Sequence, residues 1–107
     1  MLAEYDFAKL IFRRLSTEDV IKYLKRALEN GFEIVSIVGH PATAEIMSKL
    51  LGFGIAVNRM PIILKERDEL IVLSLNVRLP EGKILSRKEI EELVEQGKIQ
   101  WWHIYFA

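Results

Sequence analysis

Hydrophobic positions fall at two spacings along the chain, and each spacing predicts an element. Val20, Ile21, Leu24, Ala27 and Leu28 recur every three or four residues, as on one helix face. That helix opens at Ser16-Thr17-Glu18-Asp19, with Ser16 as N-cap and two acids favouring the dipole, and ends at Asn30-Gly31. Residues 33–38 are rich in β-branched side chains and predict a strand. Gly39 permits a tight turn, Pro41 suits a first helical position, and a second helix runs to residue 51 and stops at Gly52. Beyond the flexible corner at 52–54, residues 55–65 read as extended chain, with Pro61 marking a sheet edge or a break. Glu66-Arg67-Asp68-Glu69 predicts a hairpin tip, and 70–77 form a strand apolar enough to lie centrally in a sheet. Pro80 and Gly82 enforce a turn, after which the capping box Ser86-Arg87-Lys88-Glu89 opens a third helix that reaches Gly97.

The last segment, 98–106, alternates. Ile99, Trp101, His103 and Tyr105 share one face, and Gln100, Trp102, Ile104 and Phe106 the other. Apolar character on both faces implies a central strand or one covered by a partner subunit. At the other end, a first strand is expected near 2–7, with a bend or second short strand reaching Leu15. Strands alternating with helices predict an α/β fold, a mixed β-sheet flanked by helices, in a single small domain over residues 1–107.

Composition narrows the functional classes. Fifteen acidic and fifteen basic residues cancel, which disfavours a duplex nucleic-acid binder while leaving room for a local anion site. With no cysteine there is no thiolate nucleophile and no cysteine-ligated metal, and two histidines make a histidine-rich metal site improbable. No apolar run has the length of a membrane span, and Glu4 and Asp6 stand where a signal peptide would be positive. The expectation is a cytoplasmic protein without a membrane partner, metal or cofactor.

Candidate chemistry gathers where strands end. His40 sits at a strand-to-helix junction, beside unpaired backbone N–H groups and the positive end of a helix dipole, a place that favours phosphate. The plain alternative is that His40 only caps or packs. Arg59 follows Asn58 in extended chain, and Arg78 and Glu81 bracket Pro80 at the end of the strand expected to be central. A guanidinium offers parallel donors to a phosphate and never loses its charge. The plain alternative for each arginine is a surface ion pair.

The blocks Gly39-His40-Pro41-Ala42-Thr43-Ala44-Glu45 with Leu50-Leu51-Gly52, Val57-Asn58-Arg59, and Arg78-Leu79-Pro80-Glu81-Gly82-Lys83-Ile84-Leu85 before the helix start at Ser86 carry a resemblance over about residues 33 to 106. In that order and spacing they resemble the viral and phage ring nucleases that act as anti-CRISPR proteins against type III systems. The resemblance implies a homodimeric α/β protein that binds cyclic tetra-adenylate at its dimer interface and cleaves it without a metal. It implies His40, Arg78 and Glu81 as catalytic residues, and Arg59, Thr43, Gly39, Asn58 and Ser74 as ligand contacts. The sequence departs from the family at Glu4-Tyr5-Asp6-Phe7, where an Asn- and Ser-containing segment is usual.

RNA supplies its own nucleophile, the 2′-hydroxyl beside each phosphodiester. His40 is expected to protonate the departing 5′ oxygen, Arg78 to stabilise the pentacoordinate phosphorus, and Glu81 to orient one of them or accept a proton. The alternatives are a non-catalytic sink or sensor for the cyclic nucleotide, and a small viral structural or regulatory protein.

Overall fold

Two of the three helices start with the same local device. The computed structural model describes residues 10–61, 65, 67–79 and 84–107. The elements in chain order are β1 (Leu10–Leu15), α1 (Thr17–Glu29), α2 (Pro41–Leu51), β2 (Glu69–Leu75), α3 (Arg87–Glu95) and β3 (Ile99–Phe106). Ser16 and Ser86 cap α1 and α3: each hydroxyl accepts from the N–H three residues on, and Asp19 or Glu89 reaches back to the cap's own N–H. α2 ends at Gly52, whose φ of 81° is the left-handed conformation that a side chain would oppose.

Both outer strands pair antiparallel with β3, in the order β1-β3-β2. This corrects two expectations. Among the described residues the sheet is antiparallel, not mixed, and its centre is β3, not the apolar strand near 70–77, which is an edge of the three. Strand order depends on pairings distant in sequence, and β2's apolar run is half-buried along its length, a pattern that an edge strand shares with a central one.

The strand expected at 33–38 and the extended stretch at 55–65 build no ladder among the described residues. Instead 36–39 and 56–59 lie side by side in the same direction. Asn58 N–H donates to Val38 O at 2.8 Å, and the Ser36 hydroxyl donates to Ala56 O at 2.6 Å. Side chains take carbonyl groups that a neighbouring strand would otherwise satisfy. Near the expected hairpin tip, Asp68 N–H donates to Lys65 O and Lys65 N–H to the Asp68 carboxylate, each at 2.9 Å, but Glu69 is already the first residue of β2. The strand expected near 2–7 lies outside the described residues.

Alternation along β3 sorts the core. Ile99, Trp101 and His103 are buried, on the face that receives the helices, with Leu73 and Leu15 opposite Trp101. Val20 and Leu24 of α1, Ile46, Met47, Leu50 and Leu51 of α2, and Ile90 of α3 complete the cluster. Trp101, buried, gives its indole N–H to Thr17 Oγ1 at 3.0 Å, tying the sheet to the first turn of α1. The other sheet face carries Leu10, Phe12, Leu70, Val72, Trp102, Ile104 and Phe106, none of them in the core cluster. Phe12 is 59% exposed there and Leu10 45%.

Candidate active site

α2 begins without the cover its two sister helices have. His40 is the N-cap by backbone, extended at φ −119° and ψ 126°, yet its imidazole makes no capping bond and is exposed. No acid stands in the first turn, and Pro41 carries no N–H. The first ladder bond runs from Ala44 N–H to His40 O at 3.0 Å, which leaves the N–H groups of Ala42 and Thr43 outside the ladder. Thr43 itself is half-buried in that first turn. The capping reading of His40 is therefore set aside, as is packing: the ring faces solvent.

Arg59 meets this junction from the neighbouring chain. Its Nη2 and Nε both donate to Gly39 O, at 3.0 and 3.3 Å. The arginine is exposed but its stem lies over Gly39, where a Cβ would stand 3.5 Å from Nε. That is ordinary contact, and Gly39 has no positive φ, so glycine is permitted at this turn without being required by the backbone. Asn58 donates its amide nitrogen to Ser36 O at 2.8 Å and to the Met60 thioether at 3.3 Å.

The chain carrying Arg78 flanks α2 as well. Arg78 is exposed, and its successor Leu79 lines a cleft of about 20 Å³ with Ala42, Glu45, Lys49 and Leu85. That volume holds one water and no nucleotide, so it is a packing seam. Lys49 pins the seam from the far side, bonding Leu85 O at 2.6 Å and Glu45 at 3.4 Å. Leu79 and Ile84, the described residues on either side of 80–83, thus line the same cleft beside α2. Glu81 lies outside the described residues, as do Glu4 to Phe7.

Ser74 is placed elsewhere. It sits on the sheet face turned away from the helices, and its hydroxyl accepts from the Trp102 indole at 3.3 Å. Within one chain it does not join His40.

One polar cluster was not foreseen. Tyr23 of α1 donates its hydroxyl to Glu69 Oε1 at 2.6 Å, and His103 Nε2 meets the same oxygen at 2.6 Å. Tyr23 and Tyr105 enclose the His103 ring, with centroids 4.8 and 4.6 Å away. The Tyr23 bond, then that of His103, holds the Glu69 carboxyl below the usual carboxylate range despite some desolvation. Burial, then the Glu69 carboxylate, pushes the Tyr23 hydroxyl well above the usual tyrosine range. A histidine on the inward-facing phase of an alternating strand was the available signal; its partners come from elements far away in sequence. No group of three potential ligands for a metal ion occurs among the described residues.

The sequence profile of the STIV B116-like family matches residues 5–101, nearly the whole chain. The chain belongs to the STIV B116-like family. B116 of Sulfolobus turreted icosahedral virus superposes with a TM-score of 0.83 at 31% identity, over 94% of this chain and 85% of that one. The uncharacterized protein 26 of Sulfolobus islandicus filamentous virus is 38% identical over 78% of this chain and 69% of its own length. ORF116 of Acidianus filamentous virus 1 is 35% identical over 70% of this chain, which spans 62% of that relative. B116-like relatives are thus viral proteins, with a bacterial one, YddF of Bacillus subtilis, 35% identical over 53% of this chain. Among the described residues no helix is long and apolar enough to cross a membrane.

Proposed function

We propose that this B116-like protein is a metal-independent ring nuclease, a homodimer that opens cyclic tetra-adenylate in the host cytoplasm and so switches off type III CRISPR signalling. The observation that carries the reading is the meeting of three cationic or donor features at one junction. They are the exposed His40 imidazole, the uncovered start of α2, and the Arg59 guanidinium bonded to Gly39 O. Each favours a phosphate, and Arg78 arrives on a chain packed beside the same helix turns.

The reaction is transesterification. The ribose 2′-oxygen forms a bond to phosphorus as the bond from phosphorus to the 5′-oxygen breaks. His40 gives its proton to the leaving oxygen, and Glu81 or water takes the one released by the 2′-hydroxyl. Arg78 offsets charge on the pentacoordinate phosphorus, a contact worth about 3–4 kcal/mol in sites of this kind. A two-fold axis through a four-phosphate ring brings one His40 to each of two opposite phosphates, giving two dinucleotides that end in cyclic 2′,3′-phosphate. The apolar outer sheet face is the surface offered for the partner.

Purified protein incubated with cyclic tetra-adenylate in EDTA, then resolved by liquid chromatography, tests this. Linear di-adenylate is expected from the native chain and its absence from His40→Ala. Tight binding with no product would recast the protein as a sink for the messenger; no binding would end the proposal.

A further inference from the structure

The resemblance implies Asn58 and Arg59 as ligand contacts, but their bonds run in another direction. Segment 36–39 delivers His40 to its place without a strand ladder among the described residues. Three of its carbonyls, those of Ser36, Val38 and Gly39, are each taken by Asn58 or Arg59, at 2.8, 2.8 and 3.0 Å respectively. Both amide hydrogens of Asn58 are spent, on Ser36 O and the Met60 sulfur. What remains is its carbonyl oxygen, an acceptor, which repels a phosphate oxygen rather than binding it. Arg59 commits Nε and one Nη2 hydrogen to Gly39 O and keeps the rest of its five N–H groups free.

We propose that Asn58 is a positioning residue that fixes the His40 junction and touches no ligand, and that Arg59 combines this bracing with phosphate contact. This rests on His40 being the general acid. The physical logic is that an acid must hold its proton within reach of one oxygen, and a backbone held by one main-chain bond and a few side-chain ties drifts when a side-chain tie is cut. Asn58 ties at two points just before the turn, its backbone N–H to Val38 O and its side-chain amide to Ser36 O, and substitution cuts the second. Arg59 ties the last carbonyl before His40 itself.

Substitution by Asn58→Asp keeps size and removes the side-chain donors; Asn58→Ala removes the side chain; both keep the backbone bond to Val38 O. Two readouts are taken for each: steady-state cleavage of cyclic tetra-adenylate, and the ring resonances of His40 by NMR without ligand. The expectation is a kcat lowered about 10- to 100-fold, the scale of misplacing a reacting group by about an ångström. KM should stay within about threefold, as fits an interaction that bears on chemistry and not on binding. The His40 resonances should move in both variants, and Asn58→Gln, which restores an amide on a longer arm, should recover part of kcat. Arg59→Lys, which keeps charge but loses the two-pronged bond, should lower kcat more than it raises KM. A raised KM with kcat and His40 resonances unchanged would overturn the proposal and return Asn58 to ligand contact. If the native chain leaves the ring intact while the variants still shift the His40 resonances, the bracing stands and the nuclease reading falls. If one variant does not fold, the other decides.

Discussion

Arg78 and Glu69 illustrate how differently two charged residues at the ends of one strand are employed. Arg78 follows β2 in solvent, with its charge uncommitted in the proposed site; Arg78→Ala is expected to lower kcat about 10²- to 10³-fold with intact thermal stability, checked by cleavage kinetics beside a melting curve. Glu69 begins β2 and is committed to Tyr23 and His103. Its folded-state pKa lies below its unfolded value, so its contribution is present above the unfolded carboxylate range and is lost as pH falls through the folded value. Glu69→Gln should cost about 1 kcal/mol near neutrality, discounted for its partial exposure, and the melting temperatures of mutant and native chains should converge in acid. Tyr23 acts with the opposite sign: its raised pKa keeps the hydroxyl protonated, and its contribution fades as pH rises past the ordinary range near ~10. Tyr23→Phe melting curves should therefore approach the native ones in strong alkali.

At the scale of elements, the capping boxes of α1 and α3 are the most local features and the best read in advance. Ser16→Ala and Ser86→Ala should each cost about 1 kcal/mol, a fall in melting temperature of about 4–8 °C for a domain of this size, measurable by circular dichroism. The same locality explains the success at Gly52 and Pro41, where one residue's backbone preference decides the outcome. It also explains the failures. The two-faced apolar character of β3 allows it the centre, but β2 reads as central too, and the choice is settled by pairings that reach as far as Leu10 with Phe106. The segment at 33–38 has strand composition, but its carbonyls go to Asn58 and Arg59, a pairing that β-propensity cannot anticipate. His40 was legible because helix starts carry sequence signals. The Arg59 bond to the preceding Gly39 O was not, and Ser74, placed at the site by resemblance, faces the other side of the sheet within one chain.

For the whole molecule, the unequal dressing of the two sheet faces is the dominant fact. Helices cover one; the other carries apolar side chains from all three strands, with Arg14, Ser74 and Gln100 at one end, so it is more apolar than the polar face of an antiparallel sheet that meets water. The proposed homodimer would bury it, and a stable association requires about 800 Å² from each partner. Phe12→Lys and Trp102→Lys each place a charge there. Light scattering after gel filtration should give a monomer mass for these variants and a dimer mass for the native chain, with unchanged helix content. Cleavage should fall along with association if opposite phosphates of the ring are served by the two copies.

Trp101 and Trp102 are neighbours in the chain yet look out from opposite sides of β3, one sealed among core side chains with its N–H on Thr17, the other beside Ser74 on the bare face. The fold thereby contains two built-in optical reporters separated by a single peptide bond. A Trp102→Phe chain would emit from the interior alone and register unfolding, whereas a Trp101→Phe chain would emit from the exterior and register dilution or the arrival of a second subunit. Comparing their spectra would time assembly against folding without any added dye.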